Sequence, residues 1–306
     1  MQEAKIKFGP SLRDLSKADW IAEVSDVVED HGFLQNLGKK HSAAFVRNGE
    51  TLLVSFETHQ GIETLSPNAH PLGWDLVRNY GWSNLAVISD GDTWFRDSNV
   101  YGFFDRLVDD GFFDEFEQVL FYGAGPCGYA AAAFSVAAPG ARVLAVQPQA
   151  TLDPRVTEWD PRFTHMRRTD FTDRYGYAPD MLDAADSACV IYDPSQTEDA
   201  MHAALFTRPN VTKLRLRHMG ATIQTDLLEM ECLSDLMEMA CEGALDTAAF
   251  ASLVRVRRDY PPYLRRLLTR LENDEREVLI EALCRNVTAR MNAPRFARRL
   301  KTLKTG

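Results

Sequence analysis

Apolar strands alternating with helical stretches predict an α/β protein, its mostly parallel sheet covered by helices on both faces and followed by an all-helical C-terminal region. Three observations carry that prediction. Compact apolar runs that end in turn residues recur along the chain: NLAVISDG (84–91), VLFYGAG (119–125), RVLAVQPQ (142–149), ACVIYDP (188–194) and TKLRLRHM (212–219). Helical or small-residue stretches separate them. From Asp226 onward no strand signal remains, and Leu, Met and Arg recur at helical spacing. The expected organisation is an N-terminal helical segment (1–40), an α/β domain (41–230) and a helical region (231–306), with a boundary near 226–245.

Taken in order, Ser16 and Asp19 form a capping arrangement, and Trp20, Val24, Val27 and Val28 share one helical face, which predicts a helix over about 17–31. HSAAFVRN and TLLVSFET are joined by Asn48-Gly49, a hairpin turn signal. YGFFDRLVDDGFFDEFEQ reads as helix interrupted at Gly111. Near the end, PPYLRRLLTRLENDEREVLIEALCRNVTARMNAP reads as helix, a turn at Asn273-Asp274, a second helix and a stop at Pro294. It resembles one helical hairpin of the tetratricopeptide type.

The chain of 306 residues, 45% hydrophobic and 25% charged, has the composition of an ordinary globular protein. The alanine-rich run from Tyr129 to Ala138 is too short to span a bilayer. MQEAKIKFGP has no hydrophobic signal core, so a cytoplasmic protein with no membrane partner is expected. The five cysteines, Cys127, Cys189, Cys232, Cys241 and Cys284, form no C-x-x-C pair, and the seven histidines show no ligand spacing. Reduced thiols are expected, with neither metal nor cofactor. The net charge of −10 is uneven: residues 255–306 hold 14 Lys and Arg against 6 Asp and Glu. No recognition motif accompanies that charge, which argues against nucleic acid. The basic helices are expected to recruit an acidic protein partner or to hold the subunits of a homo-oligomer together.

FYGAGPCGYAAAA (121–133) passes from strand through glycines into a small-residue helix. Gly123, Gly125 and Gly128 match the dinucleotide fingerprint G-x-G-x-x-G, but no acidic residue follows on the next strand, and Pro126 removes an N–H where phosphate would sit. The same turn suits the strained elbow that presents a hydrolase nucleophile. YGAGPCGYAAAA with VLAVQPQATLDP resembles the elbow region of bacterial α/β-hydrolase-like proteins, over roughly residues 40 to 225.

That resemblance implies an α/β-hydrolase-like fold and a Ser-His-Asp triad, yet its nucleophile position falls on Gly125 and its second flanking glycine on Cys127. The acid falls on Asp193 or Asp199. The histidine position falls on Ala221 or Thr222, with His218 three or four residues early. Cys127, Asp193 and His218 are therefore the candidate catalytic set, with the helix dipole favouring a Cys127 thiolate. A small buried space-filler is the competing reading of Cys127. Tyr122, Gly123, Gly125, Gly128, Gln149 and His59 are the candidate ligand-binding residues, and His202 falls on a helix face.

KFGPSLRDLSKADWIAEVSDVVEDHGF, YGAGPCGYAAAA and DRYGYAPDMLDAA also resemble a bacterial family often catalogued as phosphoadenosine phosphosulfate reductase, which implies a nucleotide loop and a recyclable C-terminal cysteine. Here the only S-x-G is Ser89-Asp90-Gly91, and the last cysteine, Cys284, lies in EALCRNV, a helical stretch. The leading expectation is a degenerate, non-catalytic α/β-hydrolase-like protein binding a small ligand or a partner at the carboxyl edge of its sheet. A hydrolase or acyltransferase using Cys127 and a nucleotide-binding oxidoreductase are the alternatives.

Overall fold

A computed structural model describes residues 6 and 8–305. Eight strands form one sheet: β1 (Gly32–Leu37), β2 (His41–Val46), β3 (Thr51–Thr58), β4 (Ser83–Ser89), β5 (Gln118–Ala124), β6 (Arg142–Val146), β7 (Ser187–Tyr192) and β8 (Val211–Arg215). Their order is β1-β2-β4-β3-β5-β6-β7-β8. Only β2 runs against the rest. β2, β4 and most of β3 and β5 are buried on both faces, which is why they read as continuous apolar runs rather than alternating ones.

Helices cover both faces, as the sequence predicts. On one face Phe56, Val87 and Phe121 pack with the elbow helix Pro126–Phe134 and with Phe103 and Phe104 of the helix Ser98–Asp109. On the other, Ala44, Val46 and Ala86 pack with Trp20, Val24 and Val28 of the helix Lys17–Glu29 and with Trp74 and Val77 of the helix Gly73–Tyr80. The Ser16 side chain caps the first of these helices by accepting from the Asp19 N–H.

Several expectations change. β2 and β3 do not form a hairpin, because β4 lies between them. The Asn48-Gly49 turn is real but is gripped from that intervening strand: Ser83 Oγ accepts from the Asn48 and Gly49 N–H groups at 2.9 and 3.1 Å. Residues 32–37, expected within a helical segment, form β1 at the sheet edge. The first compact unit continues to Leu253, so the helices Leu233–Cys241 and Thr247–Leu253 belong to it, and the former lies against β5 and β6.

The second unit begins at Val254. Its helices Pro261–Asn273, Glu277–Arg290 and Pro294–Thr305 share a core of Leu264, Leu268, Ile280, Cys284, Val287 and Phe296. Pro294, expected to end the helical pattern, instead opens a third helix, where its missing N–H costs nothing. Among the described residues no helix is long and apolar enough to cross a membrane.

Candidate functional site at the carboxyl edge

β5 ends in a turn at Gly125, whose backbone sits at φ +57° and ψ −124°, a conformation that L side chains rarely adopt. The turn is fixed by two hydrogen bonds: Gly125 N–H donates to the Val146 carbonyl at 2.8 Å, and Tyr129 N–H donates to the Gly125 carbonyl at 3.0 Å. A Cβ built on Gly125 would meet nothing within 4 Å. The position therefore presents open space where a hydrolase elbow presents its nucleophile.

Gly123 and Gly128 serve packing instead. A Cβ on Gly123 would stand 2.1 Å from the Cys127 carbonyl oxygen, and one on Gly128 would stand 3.1 Å from the carbonyls of Gly123 and Val146. Both glycines let the elbow helix lie against the sheet. Pro126 opens that helix. In a hydrolase the residue after the nucleophile supplies a backbone N–H to the oxyanion hole, and proline has none. The sheet order also differs from a dinucleotide-binding sheet, so the nucleotide-binding alternative gains no support.

Cys127 is buried at the start of the elbow helix, and the expected thiolate does not follow. Burial pushes its thiol up, and the nearby carboxylates of Glu57 and Asp92 push it the same way. Asp193 follows β7 and is fully buried. It accepts hydrogen bonds from the Ser195 N–H (2.8 Å), the Ser195 hydroxyl (2.6 Å) and the Gly220 N–H (2.8 Å). Burial pushes its pKa up, but these bonds, with one from the His218 backbone, outweigh burial and hold the carboxyl below its ordinary value. His218 is half-buried at φ +65° and meets Asp193 through its backbone N–H. Asp193 thus organises the loop after β8, with its oxygens occupied by backbone and hydroxyl donors.

The proposed ligand residues divide similarly. Gln149 is buried, accepting from the Trp94 indole N–H at 3.0 Å and donating to the Gln147 carbonyl at 3.3 Å, so both ends of its amide are engaged internally. Tyr122 is fully buried, and its hydroxyl has no partner among the described residues. Burial, then the charges of Glu57 and Cys127, push that hydroxyl far above its ordinary pKa. His59 starts the short helix after β3, packs edge-on against Trp20 at 4.9 Å, and its Nε2 has no partner among the described residues.

The residue missed by sequence reasoning is Glu57. It is the penultimate residue of β3, beside a cavity of about 200 Å³ at the carboxyl ends of β3 and β5 that is lined also by Thr58, His70, Asp92, Pro126 and Cys127. Its carboxylate accepts from the Ser55 hydroxyl at 2.9 Å and from the Leu72 N–H at 3.0 Å. Burial raises its pKa to about 7 against the opposing pull of the Leu72 and Ser55 hydrogen bonds, with Asp75 adding to the rise. The signal was in TLLVSFET, where Ser55 and Glu57 stand two apart and so share one face of an otherwise apolar strand. A more open recess of about 640 Å³ lies near the amino ends of β5 and β6, around Gln118 and Arg142. It is the wrong edge of a parallel sheet for a ligand, since such sheets bind beyond the carboxyl ends of their strands.

Beyond β6 and β7 the polar groups close on one another. Arg162 bridges Asp160 (2.8 Å) and Asp199 (2.6 Å). Asp160 takes the His202 Nε2 contact at 3.1 Å, and His202 Nδ1 accepts from the Ala150 N–H at 3.2 Å. Gln147 donates to Asp199 at 2.7 Å and accepts from the Ile223 N–H at 3.0 Å. His202 and Asp199 therefore fasten loops to the sheet edge. Among the described residues no three His, Cys, Asp or Glu side chains converge to hold a metal ion.

The eight-stranded order with an antiparallel second strand, and a positive-φ elbow after β5, define an α/β-hydrolase-like fold. No protein-family model matches the chain, and no curated protein matches it. Solved structures similar to it include brefeldin A esterase, a bacterial homologue of human hormone-sensitive lipase, at 14% identity over 69% of this chain and 75% of that one, with a TM-score of 0.42. An esterase of Pyrococcus furiosus is similar at 12% identity over 67% and 88%, with a TM-score of 0.43. The capsule O-acetyltransferase of Neisseria meningitidis serogroup A, in complex with CoA, is similar at 10% over 64% and 91%, with a TM-score of 0.42. The resemblance to phosphoadenosine phosphosulfate reductase finds no support: Cys284 is buried in its helix, and Ser89 hydrogen-bonds to the Gly91 carbonyl within a tight turn.

Proposed function

We propose that this chain binds a small ligand in the cavity beside the elbow and does not carry out acyl transfer through an elbow nucleophile. One observation carries the reading: the turn keeps the backbone of a nucleophile elbow while Gly125 supplies no side chain and Pro126 no oxyanion N–H. Cys127, the remaining candidate nucleophile, is held as a neutral buried thiol, and Asp193 is committed to the loop after β8. Incubation with a panel of p-nitrophenyl esters is expected to give no turnover above buffer, for the native chain and for Cys127→Ala alike. Cys127-dependent turnover would reverse the proposal.

A second reading, hydrolysis or acyl transfer, is favoured by Glu57. A cavity carboxyl with a pKa of about 7 suits a general base acting on water near neutral pH. The same ester panel separates the two, because this reading requires turnover that survives Cys127→Ala and is lost in Glu57→Gln.

A further inference from the structure

The cavity beside the elbow has a one-sided charge. Among the described residues lining it, the charged side chains are Glu57, Asp75 and Asp92, with neither lysine nor arginine. Its remaining walls include Phe56, Ile62, Leu65 and Leu228. Glu57 is buried, with 9% exposure, and Asp92 is exposed. His70, also on the wall, is buried, and burial lowers its pKa from 6.5, which disfavours a positive charge at neutral pH. Its Nδ1 has no partner among the described residues, while Nε2 lies 3.1 Å from the Pro10 carbonyl. A donor N–H at Nε2 makes Nδ1 an acceptor. Acidic oxygens and one spare acceptor thus belong to the walls of an apolar volume; Asp75 is paired with Arg78 at 3.5 Å, whereas Glu57 and Asp92 have neither lysine nor arginine beside them among the described lining residues.

We infer that the occupant is a small organic ammonium with an apolar body, its N–H donors toward the Glu57 carboxylate and its body against the apolar walls. This rests on the ligand-binding reading above and names the ligand's class. A cavity of about 150 Å³ holds benzene, so 200 Å³ has room for a ring and an aminomethyl group. Among the described residues the buried carboxylate has no cationic partner, and an ammonium would supply one through charge-assisted hydrogen bonds.

The groups facing Glu57 are Asp75 from the helix after His70, Tyr122 from β5, Cys127 from the elbow helix, and His70 and Asp92 across the cavity. Each is acidic or neutral at working pH, and the basic Arg78 is paired with Asp75 at 3.5 Å and does not line the cavity. An arriving cation therefore favours the ionised form of Glu57 and displaces its proton, and affinity rises with pH through about 7.

Three probes of one shape test this by calorimetric titration of the full chain: benzylammonium, benzyl alcohol and benzoate. Benzylammonium is expected to bind at least about tenfold more tightly than benzyl alcohol at about pH 8, the size of one charged hydrogen bond. Its affinity is expected to fall roughly tenfold by about pH 6, as Glu57 protonates. Glu57→Gln should abolish the preference for the cation while benzyl alcohol still binds. Asp92→Asn, a change at an exposed position, should weaken the ammonium by about threefold. Benzyl alcohol or benzoate binding as tightly as the ammonium overturns the ligand class and leaves the binding reading intact. Failure of all three probes to bind overturns both.

Discussion

The two halves of the carboxyl edge have been treated differently. Beyond β6 and β7, Gln147, Asp160, Arg162, Asp199 and His202 satisfy one another in a closed network, and Asp193 accepts from Ser195 beside it and from Gly220 in the loop after β8. Beside β3 and β5, the Tyr122 hydroxyl, His59 Nε2 and His70 Nδ1 have no partner among the described residues, Glu57 is driven toward its neutral form, and Gly125 faces open space. Buried polar groups are nearly always paired in folded proteins. The closed half holds loops to the sheet, whereas the open half leaves these polar atoms unpaired among the described residues.

The largest expected effect comes from breaking the closed half. Asp160→Ala strips the buried His202 of its acceptor and leaves Arg162 with Asp199 alone. Removing one member of such a buried pair costs about 4 kcal/mol, which denaturant unfolding would register as a lowered midpoint. A loss below about 1 kcal/mol, typical of an exposed ion pair, would mean that the network is not a lock.

The open half should respond in the opposite sense. Glu57 has an ordinary pKa of 4.5 and one of about 7 in the fold, so between those values the folded chain keeps a proton that the unfolded chain has lost. Stability contributed by the neutral carboxyl is therefore lost as pH rises from 4.5 to 7. Glu57→Gln, which keeps an acceptor for the Leu72 N–H, removes that loss. The variant is expected to gain stability relative to the native chain between pH 5 and pH 8, by on the order of 3 kcal/mol at most. Parallel stability–pH curves for the two proteins would show that Glu57 is not the titrating group.

The contrast between the halves was only partly legible in the sequence. The parallel strands and the elbow turn could be read because they are local: an apolar run, then a glycine whose neighbours fix the geometry. Strand pairing was not local. Asn48-Gly49 announces a turn but carries no information that Ser83 will open the strand that separates β2 from β3. β1 escaped because GFLQNL is largely exposed or half-buried and lacks alternation. Pro294 was read as a stop because proline both ends and begins helices, and only the residues after it decide which. The cavity was hidden for a different reason. Glu57, His70, Asp92, Cys127 and Leu228 come from five separate stretches, and only folding makes them neighbours.

The smallest effect probes the elbow itself. Gly125→Ala adds a Cβ that meets no atom within 4 Å, so its cost is confined to the backbone at φ +57°. Strain of this kind is worth about 1 to 3 kcal/mol, and with no clash to add the lower end is expected. Hydrolases carry a non-glycine nucleophile in just such a turn, so the scaffold itself tolerates a side chain there. Thermal unfolding of Gly125→Ala should therefore show a shift of a few degrees, roughly what about 1 kcal/mol produces in a domain of this size. Collapse of the variant would place packed atoms over Gly125 and remove the open face from the elbow. A modest shift would leave a turn built to present a side chain, with nothing presented.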